Sequence, residues 1–125
     1  MTETIVFPDV EAVVVAALSA RVGVPVATRV PNPRPDAFVL VGRVGGSRPN
    51  VVTDRAAVTV ECWSASNVEA CDLSRWARAY VHTLAPDTVR RVVELSGPAS
   101  SPDPVSETPR YVFTVQIDTR GAAVA

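Results

Sequence analysis

Hydrophobic positions change period several times along the chain, and each change marks an element. Val10, Val14, Ala17 and Leu18 recur at helical spacing. Pro8 before them suits a first helical turn, while Asp9 and Glu11 complement the positive end of the helix dipole. The spacing predicts a helix from Pro8 to about Arg21 or Val22, stopped by Gly23 and Pro25. Its other side carries Ala12, Val15, Ala16 and Ser19, small or apolar rather than charged. Such a face is either tolerated in solvent or covered by another subunit. In the second case these four residues form a subunit interface.

Residues 1–7 read as an extended arm or strand, and Val26 to Val30 as a short strand ended by the stiff Pro31-Asn-Pro-Arg-Pro35. Ala37 to Val41 is a continuous apolar run, as in a strand covered on both faces. Ala57 to Trp63 alternates, with Val58, Val60 and Cys62 on one face and Thr59, Glu61 and Trp63 on the other. Ser66-Asn-Val-Glu69 is a capping box that starts a second helix. Its predicted stripe is Leu73, Trp76, Ala77, Tyr80, Val81 and Leu84, with Cys71, Arg75, Arg78 and His82 opposite and Pro86 as the stop. Val89 to Leu95 and Arg110 to Thr119 predict a final strand pair, in which Tyr111, Phe113, Val115 and Ile117 share a face.

Three segments fall outside this periodicity. Residues 42–56, Gly42 to Ala56, hold three glycines and the arginines Arg43, Arg48 and Arg55. They are expected to form a long loop with a use, since a compact domain rarely carries so long a connection without one. Residues 97–109, proline-rich and polar, are expected to be a second, mobile loop, and residues 120–125 a frayed tail. The order of elements predicts one α+β domain over residues 1–125: a mainly antiparallel sheet of four to six strands with two helices on one face.

At 125 residues with 47% hydrophobic and 20% charged positions, the chain can bury a core and is not a disordered segment. The apolar run from Ala12 to Leu18 is too short to cross a membrane, so no membrane partner is expected. The N-terminus lacks the basic and long apolar segments of a secretory signal, which points to the cytosol. All twelve basic residues are arginine, a side chain suited to bidentate pairing at interfaces. The net charge of −1 supplies no global field for nucleic acid.

Little in this inventory carries chemistry. Cys62 and Cys71 have neither a CxxC spacing nor a nearby histidine, so two free thiols are expected rather than a zinc site. His82, the single histidine, lies about 16 Å along the helix from Cys71 at 1.5 Å per residue, out of reach for a nucleophile pair. Glu61 and Asp118 are expected to pair with arginines rather than with each other. Gly42-Arg-Val-Gly-Gly-Ser lacks the GxGxxG spacing and the following helix. No enzyme activity, cofactor or metal is expected. Arg43, Arg48, Arg55 and Arg110 are the candidate assembly or lumen contacts, positioned to meet phosphates or the carboxylates of a neighbour. Reversing the charge of Arg43, Arg48 and Arg55 together is expected to leave the fold intact.

The phrasing of several segments resembles a known family. Ile5-Val-Phe-Pro-Asp-Val-Glu-Ala12, Val30-Pro-Asn-Pro-Arg-Pro-Asp36 before an apolar strand, Val58-Thr-Val-Glu-Cys-Trp63 leading to Ala70 and Leu73, and Pro109-Arg-Tyr-Val-Phe-Thr-Val115 together resemble the tail terminator (tail completion) proteins of long-tailed bacteriophages. The likeness is greatest to those of phages and prophages of actinobacteria. It implies a structural virion protein, assembled in the host cytoplasm and sited at the head-proximal end of the tail. It also implies a homo-oligomeric ring, typically a hexamer, that caps the tail tube, ends its polymerisation and docks to the head. The implied partners are the tail tube protein, a head-completion or neck protein, and DNA passing through the ring without sequence reading. A ring needs two different complementary patches on each subunit. Another head–tail joining protein, or a small ligand-binding α+β oligomer, would share the element order.

Overall fold

A computed structural model of the chain describes residues 3–84 and 87–124. It has an α+β fold with two helices, a five-stranded sheet and a separate two-stranded sheet. In chain order the elements are β1 (Thr4–Val6), α1 (Val10–Ser19), β2 (Val26–Ala27), β3 (Phe38–Asn50), β4 (Thr53–Trp63), α2 (Asn67–Val81), β5 (Val89–Ser100), β6 (Arg110–Arg120) and β7 (Ala122–Val124). The large sheet runs β2-β3-β4-β6-β5, antiparallel throughout except for the parallel β2–β3 pair.

Alternation along the central strands fixes the core. Ala56, Val58, Val60 and Cys62 of β4 stand opposite Ile117, Val115, Phe113 and Tyr111 of β6. All but the partly exposed Tyr111 are buried, together with Val39 and Val41 of β3, beneath α1 and α2. The helices bury Val10, Val14 and Leu18, and Ala70, Ser74, Ala77 and Val81, respectively. The other sheet face, with Leu40, Thr59, Glu61, Val112, Thr114 and Gln116, is half-buried and bears no helix.

Several boundaries differ from the sequence reading. Helix α1 starts at Val10, not Pro8, because Asp9 is its N-cap and accepts from the Ala12 amide. It ends at Ser19, where the amides of Arg21 and Val22 close onto the Leu18 carbonyl. Ser66 caps α2 through the Glu69 amide, as the capping box requires. The α2 stripe is rotated from the expected one: Ala70, Ser74, Ala77 and Val81 are buried while Trp76 is 55% exposed. Small residues let the helix sit close to the sheet, and the large aromatics lie along its flank. The stop expected at Pro86 lies outside the described residues.

The expected frayed tail is instead a strand. Ala122, Ala123 and Val124 of β7 pair with Val6, Ile5 and Thr4 of β1. Gly121 makes this possible, since a Cβ there would collide with Ile5 and with the Phe7 ring. The expected loop 97–109 is half strand. β5 continues through Ser100, and Asp103 closes a turn by accepting from both the amide and the hydroxyl of Ser106.

Candidate functional site

The segment singled out by sequence, residues 42–56, is not a loop but the outer half of the β3–β4 hairpin. Its strand character comes from cross-strand pairing that alternation alone could not signal. Arg43 stands opposite Val58, Gly45 opposite Ala57, Gly46 opposite Ala56, Ser47 opposite Arg55 and Asn50 opposite Thr53. A register shift between Arg43 and Gly45 accommodates Val44 as an extra residue. Gly46 has φ +136°, and a Cβ there would run into the Arg55 carbonyl. Glycine is therefore required for the partner strand to approach. Val51 and Val52 form the turn, where the Asn50 side chain accepts from the Val52 amide.

The arginines of this hairpin are engaged within the chain. Arg43 donates to both carboxylate oxygens of Asp54 at 2.6 and 2.8 Å. That hydrogen bonding holds the guanidinium pKa above its ordinary value. The Arg43 amide donates to Glu11 of α1 at 2.8 Å, which ties the hairpin to the first helix. Arg55 makes a two-pronged pair with Asp118, its register partner on β6, at 3.1 and 3.2 Å, and its pKa is likewise raised. Arg48 donates to the Val51 carbonyl and lies over the Phe7 ring, 5.1 Å from its centre. Gly121 donates its amide to the Val52 carbonyl. Both terminal segments thus brace the hairpin.

These pairs change what is expected of reversing Arg43, Arg48 and Arg55 together, from an intact fold to a weakened one. Asp54 and Asp118 are 7% and 5% exposed, so reversal would set one new carboxylate beside each of these buried acids and remove its partner. The expectation that Asp118 and Glu61 pair with arginines is met. Sequence reasoning missed Asp54, which sits directly before Arg55 and carried no periodic signal.

Arg110 lies at the opposite end of the sheet, far from the hairpin in register. It donates to Ser101 O at 2.7 Å and to Glu61 at 3.3 Å, and rests 5.2 Å from the Trp63 ring centre. Trp63 also stacks on Phe38 and lies beneath Arg34. Arg34 in turn donates to Thr108, fastening the proline-rich connector to the β5–β6 turn. The four candidate arginines therefore occupy two sites, and none of them is without a partner in the chain.

On α1, Ala12, Ala16 and Ser19 are exposed, whereas Val15 packs in part against the core. Three of the four candidate interface residues thus form a small-residue surface on the isolated chain.

The groups considered for chemistry are dispersed. Cys62 is fully buried, and burial, aided by the Glu61 charge, pushes its thiol up to about 12. Cys71 is partly exposed, and both thiols are free. His82 caps α2, 3.8 Å from Glu94, whose carboxylate is already gripped by Arg78 at 2.6 and 2.7 Å. An open depression of 540 Å³ lies between the end of α1 and α2, lined by Trp76, Tyr80, Arg21, Glu69 and Asp72 among others. Among the described residues, no three His, Cys, Asp or Glu side chains converge as a metal site would need, and no helix is long and apolar enough to cross a membrane. No family model matches the chain, and no curated protein matches it.

Proposed function

We propose that this chain is a structural subunit that associates with copies of itself into a closed ring, the ring of a tail terminator. In that role it caps the tail tube of a long-tailed phage, ends tube growth and presents a docking surface to a head-completion or neck protein. The observation that carries the reading is the outer half of the β3–β4 hairpin. Beyond Leu40 the outer edge of β3 has no strand partner among the described residues, because β2 pairs only with Val39 and Leu40. Val44, Val51 and Val52 stand exposed along this arm, at 64%, 57% and 44%.

A rigid strand with an open edge and exposed valines is a template for another chain. The arm holds its shape through internal ion pairs, so it can meet a neighbour without first being ordered. A ring needs a second, different patch, and the Ala12, Ala16 and Ser19 surface of α1 suits that part. The resemblance in phrasing directs these assembly surfaces to the end of a tail tube.

Co-expression with the tail tube protein of the same genome tests the role. Tubes carrying this chain at one end, and shorter than tubes made without it, are expected. Tubes of unchanged length that do not bind the chain would refute the role. The depression beside Tyr80 favours a second reading, a small ligand-binding oligomer, because Arg21, Glu69 and Asp72 bring polar groups to its rim. Its open form fits this reading less well than the hairpin fits assembly.

A further inference from the structure

A second cluster of arginines, unlike those of the hairpin, has no side-chain partners among the described residues. Val89 and Val92 of β5 both pack against the core under the helices, although an unbroken strand would put residues three apart on opposite faces. The register explains this: Val89 pairs with Thr119 and Arg91 with Asp118, so Arg90 is an extra residue in a β-bulge. The bulge turns both Arg90 and Arg91 away from the core side. There they meet Arg120 of β6, and all three line one open depression of 510 Å³ at the corner of the helix-free sheet face.

All three side chains are exposed, and among the described residues none donates to a side chain or carbonyl. The carboxylate in the depression, Asp118, is taken by Arg55. In a chain of net charge −1, this corner is a local concentration of uncompensated positive charge. A single carboxylate is satisfied by one guanidinium fork, whereas a phosphate group has oxygens enough to accept from several. No aromatic side chain or amide-bearing side chain other than Asn50 lines the depression, so little there could read a base.

We infer that Arg90, Arg91 and Arg120 form a binding site for phosphate groups, supplied by the backbone of a nucleic acid or by a free phosphate, without base recognition. The site belongs to the single chain and does not depend on the ring. A protein that forms rings yet ignores phosphate would refute the site and leave the assembly reading standing.

The test is fluorescence anisotropy of a labelled 20-base-pair duplex at increasing salt, with the wild type, R90Q/R91Q/R120Q, and R75Q as a control on α2. Three phosphate contacts predict a log–log salt slope of about −2 to −3 for the wild type and R75Q. The triple variant should bind at least about tenfold more weakly, with a slope near zero. R91Q alone gives the same readout in smaller measure if the triple variant fails to fold. Inorganic phosphate displacing the duplex more than chloride of equal ionic strength assigns the site to free phosphate. Displacement no greater than chloride's assigns it to the nucleic-acid backbone. Absence of duplex binding and of any phosphate-induced rise in Tm would overturn the site. So would a triple variant that binds as the wild type does, or a polyglutamate peptide that competes as well as the duplex.

Discussion

Arg43 and Asp54 face each other within the β3–β4 hairpin through two guanidinium–carboxylate contacts, and Asp54 is nearly buried beneath them. An acid so placed needs its partner. Arg43→Ala should therefore destabilise the chain by about 1–3 kcal/mol. Arg48→Ala, which removes only a turn carbonyl contact and a ring contact at the surface, should cost less than about 0.5 kcal/mol. Urea denaturation of the two variants separates a hairpin held by its own charges from a hydrophilic loop, which would give equal and small effects.

Gly46→Ala should be among the more damaging single-methyl changes in this chain. It adds a Cβ at φ +136° and directs it at the Arg55 carbonyl, at a cost of about 1–3 kcal/mol. Gly45→Ala meets the same kind of backbone strain but open space, and should lower Tm less.

The two thiols should differ sharply. Native protein at pH 8 should be alkylated at Cys71 and spared at Cys62, which is buried and has its pKa pushed up to about 12. Peptide mapping after alkylation reads this directly, and both cysteines should react once the chain is unfolded in urea.

What was legible in the sequence follows from which forces leave a local trace. Alternation in Ala57–Trp63 and in Arg110–Thr119 marked β4 and β6, because both strands bury one face under helices. The capping box marked the start of α2, because the Ser66 contact to Glu69 is local. The outer half of the hairpin was not legible, because from Arg43 to Asn50 β3 has no buried face and is a strand only through its pairing with β4. Of the candidate site residues, the sequence identified the arginines, and Glu61 and Asp118 as acids that pair with arginine, but neither Asp54 nor which arginine each acid takes. Asp54 and Asp118 become partners through hairpin and cross-strand register, which no spacing in the chain reveals. The Arg90 bulge did leave a signal, two apolar residues three apart in a strand, which reads as ordinary irregularity until the register is known.

Stability should depend on the Arg78–Glu94 pair in acid. Hydrogen bonding from Arg78 lowers the Glu94 pKa below the usual carboxylate range. The stabilisation is thus fully present above that range, and is lost as falling pH protonates Glu94 in the folded chain. Glu94→Gln should flatten the fall in Tm between about pH 5 and pH 3 relative to wild type, with little change at pH 7 beyond the lost pair.

The proposed closure into a ring through the exposed hairpin edge can be read by native mass spectrometry. The wild type should be compared with V44D/V51D/V52D, whose substitutions fall on exposed side chains and should leave the subunit folded. One dominant closed oligomer is expected for the wild type, six copies by the family resemblance, and a folded monomer for the variant. A wild-type chain that stays monomeric at every concentration, or a variant that assembles as fully as the wild type, would contradict it.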